Sequence, residues 1–343
     1  KIFTTMRKPF YIISLSFLIV SCGTQKNIQK VVAKPTLPKT SPSNLPIPFA
    51  KSKILHEGGV DFYKENIADV TKNDNTISYG SIVSANPSGY KVVKTYFPAV
   101  AQNFRVKYII LHYTALSDEK SVGVLTQQAV SAHYLVNNLG DKEIFQLVDE
   151  NKRAYHAGIS AWRTDKMLND TSIGIEIVNN GFKTDSTGLR VFPEYDNAQV
   201  LKIAALVKDI ANRYSIPATN ILGHSDIAPT RKQDPGPKFP WKKLYNDYQL
   251  GMWYDEATKQ NFFTQIIPET FGVEMSSAQG IFKYQTALKT LGYGLDPSGM
   301  IDESTKKTIE AFQYHFRPEK YDGVMDAETW SILQALIQKY PSK

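Results

Sequence analysis

The stretch Val106-Lys107-Tyr108-Ile109-Ile110-Leu111-His112-Tyr113 reads as a buried β-strand, apolar and β-branched until it closes on a histidine. A histidine there is either a packed structural ring or a functional group set at a strand end. Further along, Ser172-Ile173-Gly174-Ile175-Glu176-Ile177-Val178-Asn179 sets three isoleucines against Gly174, Glu176 and Val178, the period of two that a strand imposes. The glutamate either faces solvent from a sheet edge or serves chemistry, because burying an unpaired charge is costly. Between these runs, Thr114 to Val130 has helical spacing. His133-Tyr134-Leu135-Val136 and Glu143-Ile144-Phe145-Gln146-Leu147-Val148 flank the turn residues Asn138-Leu139-Gly140-Asp141, which predicts a hairpin. Asp196 to Tyr214 reads as a helix whose apolar face is Val200, Ile203, Leu206 or Val207, Ile210 and Tyr214, with Asp196 and Gln199 at capping-box spacing. Pro217 ends it, and Ile221-Leu222-Gly223 starts another short strand. Strands and helices alternate, so residues 100–250 are expected to form an α/β domain.

That last strand runs into Gly223-His224-Ser225-Asp226-Ile227-Ala228-Pro229-Thr230-Arg231-Lys232-Gln233-Asp234-Pro235-Gly236-Pro237. Proline fixes φ and glycine permits tight turns, so this loop can hold a shape without helix or strand ladders. Neutral imidazole and carboxylate are good zinc ligands, and a catalytic zinc site takes three of them. His112, His224 and Asp234 are the candidates. Glu176 could serve as general base beside them, and Lys232 could stabilise an oxyanion. The chemistry implied is amide hydrolysis, although no spacing here matches a generic metal motif such as H-E-x-x-H.

Leu111-His112-Tyr113-Thr114-Ala115, Ser131 to Val136, Tyr155-His156-Ala157-Gly158, Ser172 to Glu176 and the segment from Gly223 to Gly236 together resemble the zinc N-acetylmuramoyl-L-alanine amidases of the amidase 2 type. These are the AmiD/AmpD-like enzymes, related to peptidoglycan recognition proteins. The resemblance implies a mixed central β-sheet flanked by helices and Zn2+ held by His112, His224 and Asp234. It implies Glu176 as catalytic base and Lys232 as transition-state stabiliser, with His156 and Trp162 lining the substrate groove. His133 is expected to support the site by hydrogen bonding or packing. Thr230 stands where the family usually has glycine, which puts the loop's shape in question but removes no ligand. Peptidoglycan and muropeptides are the implied partners, cut between N-acetylmuramic acid and L-alanine. The rival readings are a recognition protein that binds peptidoglycan without cutting it, and a zinc peptidase acting within the stem peptide.

The 343 residues favour more than one domain. Residues 251–273 read as an irregular, aromatic-rich connection. After them come Ser277 to Leu291, with helical spacing, and a near-repeat: Gly299-Met300-Ile301-Asp302-Glu303-Ser304-Thr305 and Gly323-Val324-Met325-Asp326-Ala327-Glu328-Thr329 share G-x-x-D-x-x-T. Each aspartate is placed to cap a helix. Residues 274–340 are therefore expected to form a small three-helix domain, which resembles a peptidoglycan-binding module. His315 within it reads as structural or exposed.

The N-terminal end carries targeting chemistry. Met6-Arg7-Lys8 precedes the uncharged apolar stretch Tyr11 to Val20, too short for a membrane span of ~20 residues. Residues 1–5 read as lying upstream of the start. Ile19-Val20-Ser21-Cys22 resembles a bacterial lipobox, so residues 1–22 are expected to be a lipoprotein signal with Cys22 lipidated. Gly23 after it favours the outer membrane, facing the periplasm. Pro35, Pro38, Pro42, Pro46 and Pro48 make 23–50 a tether, and 51–99 an extension of no recognisable motif, with His56 a surface residue. Cys22 is the sole cysteine, which excludes an intramolecular disulfide and a thiolate metal site. The net charge of +7 is too small to argue for a nucleic-acid partner. Nothing marks an oligomer, so a tethered monomer is expected.

Overall fold

The structure, a computed structural model, describes residues 87–90, 103–188 and 190–342. Cys22, the signal sequence, the tether and all of the 51–99 extension except 87–90 lie outside them. The described residues build one five-stranded sheet. Its strands are β1 (Tyr108–Tyr113), β2 (Tyr134–Val136), β3 (Phe145–Gln146), β6 (Ser172–Ile177) and β9 (Ile221–Gly223). Two small hairpins, β4–β5 (Ala161–Trp162, Asp165–Lys166) and β7–β8 (Lys183–Thr184, Arg190–Val191), stand apart from it. β1 pairs in parallel with both β6 and β9, β2 is parallel to β6, and β3 is antiparallel at the edge. The sheet is thus mixed and flanked by helices, as expected. Burial explains the two long runs: Ile109, Ile110 and Leu111 are sealed, as are Ile173, Ile175 and Ile177. In β6 the other face carries Ser172, Gly174 and Glu176.

The first helix, α1 (Asp118–Gln127), is shorter than its spacing predicts. Thr114 Oγ1 caps the amide of Leu116, and Ala115 sits at φ 54°, a left-handed kink that cannot belong to a helix. Helix α2 (Asn197–Tyr214) is capped by Asp196, whose side chain accepts from the Ala198 amide at 2.7 Å. Gln199 does not complete a capping box. Its buried amide donates instead to the Val178 carbonyl at 2.9 Å, satisfying a backbone acceptor just beyond β6. The one-turn helix α3 (His224–Ile227) follows β9, and α4 spans Trp241–Tyr248.

Residues 251–273 are not irregular. They hold α5 (Glu256–Thr264) and most of α6 (Pro268–Ser276). No residue of α5 is fully buried, and only Met275 is in α6. The apolar stripe that would announce these helices is therefore missing.

Helices α7 (Ala278–Leu291), α8 (Glu303–Phe316) and α9 (Ala327–Lys339) form the C-terminal module. Asp302 and Asp326 cap α8 and α9 by accepting from the amides of Thr305 and Thr329. Gly299 and Gly323 take φ of 73° and 71°, which explains the glycine of the repeat. A buried glutamine supports each loop: Gln285 accepts from the amides of Ser298 and Gly299, and Gln313 from that of Gly323. One apolar cluster runs from the sheet into these helices, and both belong to a single compact unit.

Candidate metal centre

Three parallel strands deliver the site at their carboxyl ends. His112 is the fifth residue of β1, Glu176 is its register partner on β6, and His224 directly follows β9. Asp234 returns to them on the Pro/Gly loop, fixed by the Ser225 amide donating to its carbonyl at 2.8 Å. The atoms that meet are His112 Nδ1, His224 Nδ1 and Asp234 Oδ2, each 2.9–3.0 Å from the others, and all three residues are buried.

The hydrogen-bond network around them assigns the protons. The Leu168 carbonyl can only accept, so the Ser172 hydroxyl 2.5 Å away donates to it. Ser172 Oγ therefore accepts from His156 Nε2 at 3.1 Å, which leaves His156 Nδ1 to accept from His112 Nε2 at 3.0 Å. On the other side, His224 Nε2 donates to the Ala157 carbonyl at 3.1 Å. Both Nδ1 atoms are then bare lone pairs aimed at a carboxylate oxygen. Burial, followed by the neighbouring His224, pushes the His112 ring down to about 4, so it stays neutral. Three buried acceptors in contact with no proton between them repel unless a cation joins them. Two neutral imidazoles and a carboxylate are the donor set of catalytic zinc, and each ligand histidine has an outer partner for its other nitrogen.

Glu176 is half-buried overall, but its Oε2 is sealed from solvent and has no partner among the described residues. Burial first, then the charge of Asp234, raises its carboxyl to about 8, against the opposing pull of Lys232. A carboxyl poised there can take and return a proton near neutral pH.

The family profile described as N-acetylmuramoyl-L-alanine amidase matches residues 102–237. The amidase AmiD of Escherichia coli is 42% identical over 241 residues, 69% of this chain and 84% of that protein. The chain belongs to the N-acetylmuramoyl-L-alanine amidase family. A second profile, for a putative peptidoglycan binding domain, matches residues 277–333. The solved structure of E. coli AmiD with the substrate anhydro-N-acetylmuramic acid-L-Ala-D-γ-Glu-L-Lys superposes with a TM-score of 0.67 at 39% identity, covering 74% of this chain and 97% of that one. AmpDh3 of Pseudomonas aeruginosa, solved with an anhydromuramic pentapeptide, gives 0.62 at 40% identity, covering 76% and 100%.

Within this amidase domain the candidate residues do not all meet. Lys232 is half-buried, and its charge reaches both Glu176 and His112. His156 does not line a groove. It is buried behind His112, over Gly174, where a Cβ would lie 2.3 Å from its ring. Trp162 is not in a groove either. It is sealed, donates Nε1–H to the Thr219 carbonyl at 3.0 Å, and packs edge-on against Tyr293 of the C-terminal module. An indole with no exposed surface cannot touch a substrate. His133 accepts from the Gly174 amide through Nδ1 and donates Nε2–H to the Lys152 carbonyl, both at 3.0 Å, a supporting role as expected. Thr230 is exposed and outside the left-handed region, so its Cβ is accommodated.

The sequence reading missed three supporting residues. Ser172 anchors the relay to His112; its signal was its place on the same strand face as Glu176. Asn169 Oδ1 accepts from the amides of His156 and Ala157 at 3.1 and 2.7 Å. Arg231 Nη2 donates to the Ala157 and Ile159 carbonyls at 3.0 and 2.6 Å. Neither Asn169 nor Arg231 had a local sequence signal for these tertiary contacts.

Proposed function

We infer that the chain is a zinc-dependent N-acetylmuramoyl-L-alanine amidase, cutting the amide between the lactyl group of N-acetylmuramic acid and L-alanine in peptidoglycan and muropeptides. The observation that carries this reading is the convergence of three proton-free acceptors, His112 Nδ1, His224 Nδ1 and Asp234 Oδ2, at the strand ends that also present Glu176. Similarity to amidases solved with muramyl peptides supplies the substrate class. Zinc held there would polarise the scissile carbonyl and acidify a water molecule. Glu176 accepts the proton of the attacking water at its carboxylate and hands it to the leaving amide nitrogen of L-alanine. Lys232 offsets the negative charge that develops on the carbonyl oxygen. His156 and Ser172 hold His112 in the tautomer that leaves Nδ1 free.

The test is to incubate the protein with a muropeptide and read products by mass spectrometry, with zinc, with a chelator, and for Glu176→Ala. Free stem peptide beginning with L-alanine, lost with chelator and in the variant, is expected. An intact muropeptide that binds tightly in the presence of zinc would favour a recognition protein. Truncated stem peptides still attached to the sugar would favour a peptidase.

We further propose that Cys22 is lipidated and tethers a monomeric enzyme to the outer membrane by residues 23–50. The support is the lipobox-like Ile19-Val20-Ser21-Cys22 with Gly23 after it. Membrane fractionation and mass spectrometry of the wild type and Cys22→Ala test this; a variant that stays in the outer membrane overturns it.

A further inference from the structure

Asp226, two residues after His224, is fully buried and accepts three hydrogen bonds. One comes from the Gly223 amide at 2.8 Å and closes the turn that presents His224. The other two come from the C-terminal module: the Tyr293 hydroxyl donates to Oδ1 at 2.7 Å, and His315 Nδ1 lies 2.8 Å from Oδ2. His315 is clamped between the rings of Trp241 and Phe316, each stacked at 3.9 Å. The far end of the same loop is held by a second route. Phe192 is buried against Gly236, where a Cβ would lie 2.7 Å from its ring, two residues after Asp234. Phe192 in turn packs on Tyr314 and Tyr321 of the module, at 5.5 and 6.0 Å between centroids. Arg190 on the same hairpin donates to Glu310 Oε1 at 2.5 Å and the Tyr314 hydroxyl at 2.9 Å.

We propose that the C-terminal module is a positioning element of the metal centre: Tyr293 and His315 acting through Asp226, and Tyr314 and Tyr321 acting through Phe192, hold the 223–236 loop in its ligating shape. The loop carries two of the three ligands, and the module's contacts brace it at both ends. A buried carboxylate left with only the Gly223 amide of its three donors is under-satisfied, which is costly. The turn at His224 would then relax and carry its Nδ1 away from His112 Nδ1 and Asp234 Oδ2. A module that served only to concentrate the enzyme on polymeric glycan would leave zinc retention and the cleavage of small soluble muropeptides untouched. The proposal rests on the zinc reading above.

The test compares the full-length wild type with Tyr293→Phe/His315→Phe, which keeps the rings and removes both donors to Asp226. Gln285→Ala is the control; it loosens the module at residues 298–300, away from the 223–236 loop. Zinc affinity is read by competition with a chromophoric chelator, the ligand field by the visible spectrum of the cobalt-substituted protein, and kcat and KM on a soluble muropeptide. The double variant is expected to bind zinc about tenfold more weakly, with an altered cobalt spectrum and a lower kcat. Gln285→Ala is expected to lower Tm but keep wild-type zinc affinity. If the double variant does not fold, Tyr293→Phe alone is expected to weaken zinc by about threefold. Unchanged zinc affinity in the folded variants, or an equal loss in the control at matched Tm, overturns the proposal. A wild type that binds zinc but leaves muropeptide intact would sink the amidase reading and leave the zinc measurements decisive.

Discussion

Glu176→Gln should make the metal-free protein more stable and the zinc-loaded protein much less active. Burial pushes the carboxyl up to about 8 in the fold, against about 4.5 for an exposed glutamate. Between those values the folded state holds a proton that the unfolded chain has lost, so Glu176 makes stability fall as pH rises through the window. At about 1.36 kcal/mol per unit, the shift sets an upper bound of about 5 kcal/mol above pH 8 and about 3 kcal/mol at pH 7. Solvent reaching the half-buried residue reduces this, so about 2 kcal/mol at pH 7 is expected. Glutamine keeps the shape and cannot titrate. His112 works in the opposite direction, its ring lowered to about 4 in the fold. That contribution is common to both proteins and cancels in their difference. Urea unfolding of both, stripped of metal, at pH 5, 6, 7 and 8 should therefore give a stability difference below about 1 kcal/mol at pH 5 that grows through pH 7. Parallel curves would refute the claim that burial holds this carboxyl protonated. With zinc restored, kcat of the variant should fall by at least about 10²-fold, as expected for loss of a general base.

Trp162→Ala should cost about 3–5 kcal/mol in urea unfolding while the folded fraction keeps its KM for a soluble muropeptide, because the indole lies in the seam with the module and not in the groove. Gly174→Ala should expel His156 from behind His112, since the new methyl would lie 2.3 Å from that ring; weaker zinc binding by about tenfold, measured by chelator competition, is the expected result. Lys232→Ala should lower kcat by about 10²-fold. Its zinc affinity should stay within about twofold of wild type, because Lys232 supplies no ligand to the metal.

Local chemistry explains what the sequence disclosed. The period of two in 172–178 is legible because the sealed isoleucines and the site face alternate along a single strand. His112 and His224 were findable because each ends an apolar run, and Asp234 because its loop is dense in proline and glycine. What escaped depends on contacts made across the chain. Trp162 is assigned to the groove by the family resemblance alone; its partners Gly292 and Tyr293 lie some 130 positions on. The resemblance likewise assigns His156 to the groove, whereas the relay that buries it needs Ser172 and Leu168. Helices α5 and α6 escaped for the opposite reason, because they bury too little to print a periodicity.

The near-repeat in the module carries further information of its own. Counting from the glutamine that supports each loop, Gln285 and Gln313, the eighth residue is a tyrosine in both halves, Tyr293 and Tyr321. Inside the module those glutamines do equivalent work, each accepting from a loop glycine amide. The tyrosines point the repeat outward. Tyr293 donates to Asp226 at the start of the 223–236 loop, and Tyr321 packs on Phe192, which covers Gly236 at its end. The second residue after each glutamine differs: Ala287 in the first half and His315, the other donor to Asp226, in the second. Docking on one asymmetric loop explains why His315, a donor to Asp226, stands where the first half has Ala287. His315 could be read from sequence as structural, but which structure it served became visible only with the His224 turn beside it.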